Sequence, residues 1–305
     1  VNTEILNMFK TFTLLLPILL TTLNGFGLNN PNISDIEERI VSIIESIETA
    51  SSFNQKNELN NELISLFYDA LLTENSFEYP FSKVEKVGIL TSPNNKLRII
   101  TWNIPQAGGN QKYFGFIQTN VNGDQQIFPL ADNRKQLEKP QLQTLSASSW
   151  HGALYYYIRN DIIMGQEVYT LFGVDMNNFF SAKRIIETIT ITESGEPQFG
   201  FPVFSVKGSK LTRIIFEYSA RASMVLKWEE ENQMIVFDHL SPMRGDYAEN
   251  YQFYVPDLSY DGFKLTQTGW EYVADIDVRN PERATPTPIK PPVENPEPGF
   301  LYRPN

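Results

Sequence analysis

The stretch 97–130, LRIITWNIPQAGGNQKYFGFIQTNVNGDQQIFPL, decides the fold. Leu97–Ile104, Tyr113–Val121 and Gln126–Leu130 are short runs rich in β-branched and aromatic residues, which suit a pleated, half-buried surface. Between them stand Gly108-Gly109 and Asn122-Gly123-Asp124, where backbone and side chain favour tight reversal. Strands this short, joined in sequence order by tight turns, imply antiparallel pairing.

The same punctuation continues along the chain. Val87–Leu90 precedes the stretch, and Ala153–Arg159, Glu167–Val174, Ile185–Thr192, Phe199–Phe204 and Leu211–Tyr218 follow it. Ser223–Trp228, Gln233–Asp238, Gly262–Thr266 and Trp270–Asp275 complete the set. A mainly β (α+β) chain is expected, with residues 81–280 forming an antiparallel β meander, either a sandwich or a curled sheet. An irregular propeller is the second choice, because no fixed repeat period is found.

Residues 28–80 change period. Ile36, Ile40, Val41, Ile43, Ile44 and Ile47 recur at helical spacing behind Ser34-Asp35-Ile36-Glu37, whose Ser and Glu have capping-box spacing. Ser52–Gln55 offers a second start, followed by Leu59, Leu63, Leu66, Phe67, Ala70 and Leu71. The pattern predicts an antiparallel helical hairpin, with stripes that serve core packing or face a partner.

The two ends read differently. Lys10 precedes the apolar run Thr11–Leu23, TFTLLLPILLTTL, with small residues after it, the pattern of a signal peptide over 1–27 cleaved near Gly27. The run is shorter than the roughly 20 residues of a membrane span, so no stable span is expected after cleavage. Pro17 argues against a buried helix there. Residues 281–305 are dense in proline and predict an unstructured, extended tail.

Composition narrows the function classes. The net charge of −11, without a basic cluster, argues against nucleic acid and anionic membranes as partners. The chain has no cysteine, which excludes thiolate metal sites, a cysteine nucleophile and lipid attachment through a thiol. Only His151 and His239 are available for imidazole chemistry, and neither has zinc-site spacing. Ser148 and Ser149 precede His151 without the G-x-S-x-G elbow of a serine hydrolase. Phosphate-binding glycine loops are missing as well.

Two polar or aromatic resources remain. Asp238-His239, Ser241, Arg244, Asp246, Asp257 and Asp261-Gly262 concentrate between 238 and 261. Asp257 and Asp261 are candidate Ca²⁺ ligands, with oxygen donors suited to that ion. A pair of these carboxylates is also the minimum for glycosidase acid–base chemistry, given a separation of about 5 to 9.5 Å. Ordinary turn and cap roles explain such aspartates equally well. Among 39 aromatics, Trp150, Tyr251, Tyr254 and Tyr260 fall in or beside expected loops and are candidate contacts for a glycan or a protein.

SPNNKLRIITW (92–102), YTLFGVDMNN (169–178), FGFPVF (199–204), RIIFEYSARASMVLKW (213–228), IVFDHLSPM (235–243) and YDGFKLTQTGWEYVADIDVRN (260–280) together resemble a group of uncharacterised exported proteins of Gram-negative bacteria. Within Gly173–Asn178, Val174 and Met176 replace the Trp and Gly of the group's G-W-D-G-N-N form. The resemblance implies export, to the periplasm or beyond, and the β domain; it implies no reaction. The expected role is non-catalytic binding of an envelope partner or extracellular ligand. A carboxylate-dependent hydrolase acting on carbohydrate is the alternative, and no catalytic residue is assigned.

Overall fold

The computed structural model describes residues 32–277. The signal peptide expected over 1–27 and the proline-rich tail of 281–305 lie outside them. Two helices open the fold, α1 (Ile33–Thr49) and α2 (Phe53–Leu71). The cap of α1 is Asn32, whose side chain accepts from the Ser34 N–H at 3.2 Å, and not Ser34 as the spacing suggested. Glu37 is buried and unavailable for a capping box, because it accepts from the Tyr79 hydroxyl (2.6 Å) and the Lys83 N–H (2.8 Å). Ser52 caps α2 through the Gln55 N–H, as its spacing predicts.

Three sheets follow. The first runs in sequence order, β1 (Gly88–Thr91), β2 (Leu97–Pro105), β3 (Gln111–Val121) and β4 (Asp124–Ala131), all antiparallel. The second has β5 (Leu145–Ser146), β6 (Leu154–Ile163), β7 (Gln166–Asp175), β8 (Ser181–Ile191) and β9 (Pro197–Phe199), in the order β5-β9-β8-β7-β6. One edge of β8 is divided: Ile189–Ile191 pair with β9, and Ser181–Ile186 pair with β12 (Ile214–Ser219). The third sheet contains β10 (Phe204–Val206), β11 (Ser209–Leu211), β13 (Leu226–Glu229), β14 (Met234–Pro242), β15 (Tyr254–Thr266) and β16 (Gly269–Val273). Its order is β11-β10-β16-β15-β14-β13, and β10 pairs with β16 in parallel.

The layers stack because alternate residues of each strand serve opposite faces. Ile100, Trp102, Ile104 and Phe116 meet the helices through Ile40, Leu63 and Phe67. From the other face of the first sheet, Leu97, Ile99, Tyr113 and Ile117 pack on Tyr169, Leu171, Ile185 and Ile189 of the second. Its far face, through Val168, Phe172 and Ile186, packs on Phe204, Ile235, Phe237, Phe263 and Trp270 of the third. The result is a helical hairpin over an open sandwich of mostly antiparallel sheets, not the propeller of the second reading. Among the described residues no helix is long and apolar enough to cross a membrane.

Three strand assignments differ most from the sequence reading. Leu211–Tyr218 is not one strand: Leu211 ends β11 of the third sheet, and Ile214–Ser219 forms β12 on the edge of β8. Phe199–Phe204 is not one strand: at Gly200 (φ 88°) the chain leaves the second sheet, and it joins the third at Phe204. Residues 254–261, expected as loop, belong to β15, paired with β14 as far as Pro242 around an irregularity between Asp238 and Leu240. Pro256, Asp257 and Ser259 disguise that strand, being residues that strands disfavour.

Candidate functional site

Of the polar residues of 238–261, Asp238, His239, Ser241, Asp257 and Asp261 therefore sit on the paired strands β14 and β15, and Arg244 and Asp246 lie in the connection between them. His239 on β14 places Nδ1 2.6 Å from Asp261 Oδ2 on β15. The same oxygen accepts from the Tyr272 hydroxyl (2.6 Å), while Oδ1 accepts from the Asp275 N–H (3.2 Å). Asp261 is buried, and the imidazole is 43% exposed. The bond to Asp261 is the main cause that raises the His239 pKa. Burial, then the nearby carboxylate, pushes the Tyr272 phenol up.

The remaining carboxylates have separate partners. Asp257 accepts from the Ser241 and Ser259 hydroxyls at 2.7 Å each, and the Ser241 bond leads the causes that hold its pKa below the usual range. Asp246 is forked by Arg244, and Asp238 accepts the Val225 N–H at 2.7 Å. Asp257 and Asp261 lie on one strand, four residues apart, yet each is engaged by its own donors. Among the described residues no three His, Asp or Glu side chains are placed to hold a metal ion.

The aromatic candidates divide. Trp150 is a correction: it is fully buried, packed against Tyr113 and Tyr155, with its indole N–H donated to the Tyr155 hydroxyl at 3.0 Å. Residues 150–153 are buried, with Trp150 and Ala153 in the core between the first two sheets, so the flanking polar residues did not mean exposure. Tyr251 is exposed and lies 5.1 Å from the ring of half-buried Tyr254. Tyr260 is half-buried on β15, opposite Asp238. His151 is also buried, and burial, followed by the charges of Arg213, Lys183 and Arg134, lowers its pKa to about 3. Ser146, Ser148 and Ser149 hydrogen-bond among themselves, at 2.9 and 3.1 Å, so no serine–histidine pair forms there.

Another constellation joins the ends of β3, β4 and β7. Asp175 Oδ1 accepts from the Tyr113 hydroxyl (2.9 Å), Arg134 Nη1 (2.7 Å) and the Asn177 N–H (2.7 Å). The Tyr113 hydroxyl accepts the Met176 N–H at 2.8 Å, and the Arg134 guanidinium lies over the Tyr113 ring at 4.5 Å. Asp132 receives the N–H groups of Tyr113 and Arg134 (3.0 and 3.2 Å). Burial raises the Asp132 pKa, with the guanidinium opposing it. That buried guanidinium stands between two carboxylates, where a metal cation would otherwise be attracted.

Comparison of the chain with protein-family models, with curated proteins and with solved structures finds no match.

The Asp175 cluster fixes the β7–β8 connection. Asn177 takes the left-handed conformation (φ 40°) and donates its amide to the Ser181 hydroxyl (2.7 Å) and Glu217 (3.3 Å). Asn178 Oδ1 accepts the N–H groups of Phe180 and Ser181 (2.8 and 3.2 Å). On this pinned turn Phe179 and Phe180 are 71% and 68% exposed, beside exposed Met176. The Phe179 ring lies directly over Gly109 (φ 75°), where a Cβ would come within 2.6 Å of it. Sequence reasoning singled out 173–178 only as a departure from a familiar form. The adjacent pair Phe179-Phe180 between Asn178 and Ser181 was the available signal. Chemically the arrangement offers a rigid aromatic contact and no reactive group.

Proposed function

We propose that the protein is an exported, non-catalytic binding protein that engages an envelope protein or an extracellular ligand through the aromatic tip of the β7–β8 connection. One observation carries this reading: two adjacent phenylalanines stand mostly in solvent on a backbone held by side-chain hydrogen bonds. Large apolar rings in water are costly to leave uncovered, and fixing them beforehand lowers the ordering cost of association. Export to the periplasm or beyond rests on the leader-like residues 1–27 and on the resemblance to exported proteins of Gram-negative bacteria. The separately partnered carboxylates of β14 and β15 support a binding role over acid–base chemistry.

The test is cross-linked recovery of tagged protein from its own cells, beside a Phe179→Ser/Phe180→Ser variant of unchanged circular dichroism and melting temperature. One dominant partner, lost with the variant, is the expected result. Equal recovery by both proteins would remove the aromatic tip from the contact. A hydrolase acting on carbohydrate is the second reading, favoured by the exposed His239 imidazole oriented by buried Asp261. It requires turnover of an oligosaccharide that His239→Gln abolishes.

A further inference from the structure

Arg98 on β2 points toward the helical side of the first sheet and is only 1% exposed. Its Nη1 donates to the carbonyls of Ser76 (2.8 Å) and Phe77 (3.2 Å), and Nη2 donates to that of Tyr79 (2.7 Å). The guanidinium lies 4.9 Å from the centre of the Phe81 ring. Among the described residues no carboxylate forms an ion pair with it, and its Nε has no hydrogen-bond partner. By contrast, the buried guanidinium of Arg134 is paired with Asp175 (2.7 Å) and that of Arg213 with Glu187 (3.0 Å). A buried cation without a counter-ion carries a desolvation cost that three carbonyl dipoles offset only in part.

This arginine forms part of the wall of a half-open cleft of about 430 Å³. Phe77, Tyr79, Pro80 and Ile89 supply apolar surface, and Thr91 and Asn95 supply neutral hydrogen-bonding groups. Glu78 stands at the same cleft and interacts with Arg98 through space without reaching ion-pair distance. One cation facing one exposed carboxylate leaves a local field that admits a single negative charge and opposes a second. Clefts with apolar walls and a few placed polar groups are the usual form of a small-ligand site.

We infer that this cleft binds a small monocarboxylate with an apolar or aromatic body, the carboxylate meeting Arg98 and the body lying on Phe77, Tyr79, Pro80 and Ile89. The site is built from other elements than the β7–β8 tip and stands or falls independently of it.

Benzoate is the probe, titrated against the full chain by calorimetry and by amide chemical shifts, with benzamide and inorganic phosphate for comparison. Saturable single-site binding of benzoate is expected, about tenfold tighter than benzamide or phosphate, with shifts at residues 77–80 and 89–98. Glu78→Gln should raise phosphate affinity by about tenfold and narrow the preference for the monoanion. Thr91→Val should weaken benzoate by about threefold. Arg98→Lys should weaken it by about tenfold, because an ammonium lacks the Nε–H that the three carbonyl bonds leave without a partner. Arg98 also holds the 76–79 turn, so if that variant unfolds, the Glu78 and Thr91 variants decide. Absence of saturable benzoate binding, benzamide bound as tightly, or affinities unmoved by Glu78→Gln and Thr91→Val would each overturn the inference.

Discussion

Burial keeps the His151 imidazole neutral in the folded chain, and that choice has a pH signature. The unfolded chain binds its proton near pH 6.5, whereas the folded one resists down to about 3. Between those values the unfolded state holds more protons, so stability falls as pH is lowered. At pH 4 this residue alone accounts for a loss on the order of 3 kcal/mol. Urea unfolding at pH 7 and pH 4 should show that loss in wild type and a smaller one in His151→Asn. His239 acts in the opposite sense. Its folded pKa is raised, so its stabilising share is complete below about pH 6.5 and is lost as pH rises through the folded value. His239→Gln should flatten the alkaline side of the stability profile, measured the same way. The polar wealth of 238–261 was legible in the chain, because its members are neighbours in sequence. The Asp175–Arg134 pair was not: its partners are 41 positions apart and meet only where two sheets end.

At the level of elements, the β7–β8 turn depends on one carboxylate. Asp175→Ala leaves the Arg134 guanidinium buried without its closest partner and should cost about 3–5 kcal/mol by urea unfolding. Amide exchange at 176–180 should accelerate in parallel. Gly109→Ala combines a left-handed backbone with a Cβ driven into the Phe179 ring. It should lower stability by at least about 1 kcal/mol and move the Phe179 resonances. Helices and most strands were readable because apolar periodicity and turn residues agreed along 33–71 and 97–130. Buried strands inside the stack, such as β7 and β8, instead show runs like Leu171-Phe172 and Ile185-Ile186, apolar on both faces. The first part of β15 was hidden because its pairing with β14 overrides an unfavourable local composition.

Across the whole molecule, the helices cover a face of the first sheet that carries Ile100, Trp102, Ile104 and Phe116. A chain lacking residues 32–71 should bind a hydrophobic dye and associate at micromolar concentration, checked by fluorescence and light scattering. The second sheet, covered on both sides, should show the slowest amide exchange of the three. The position of β16 has a further consequence. It lies between β10 and β15, although about sixty residues of chain separate it from β10. A chain emerging amino-terminus first presents both strands of the β10–β11 hairpin while the strand that ties it to its sheet is still to come. Completion of the third layer therefore waits for Gly269–Val273, and a ribosome that still holds those residues holds the protein short of its native state.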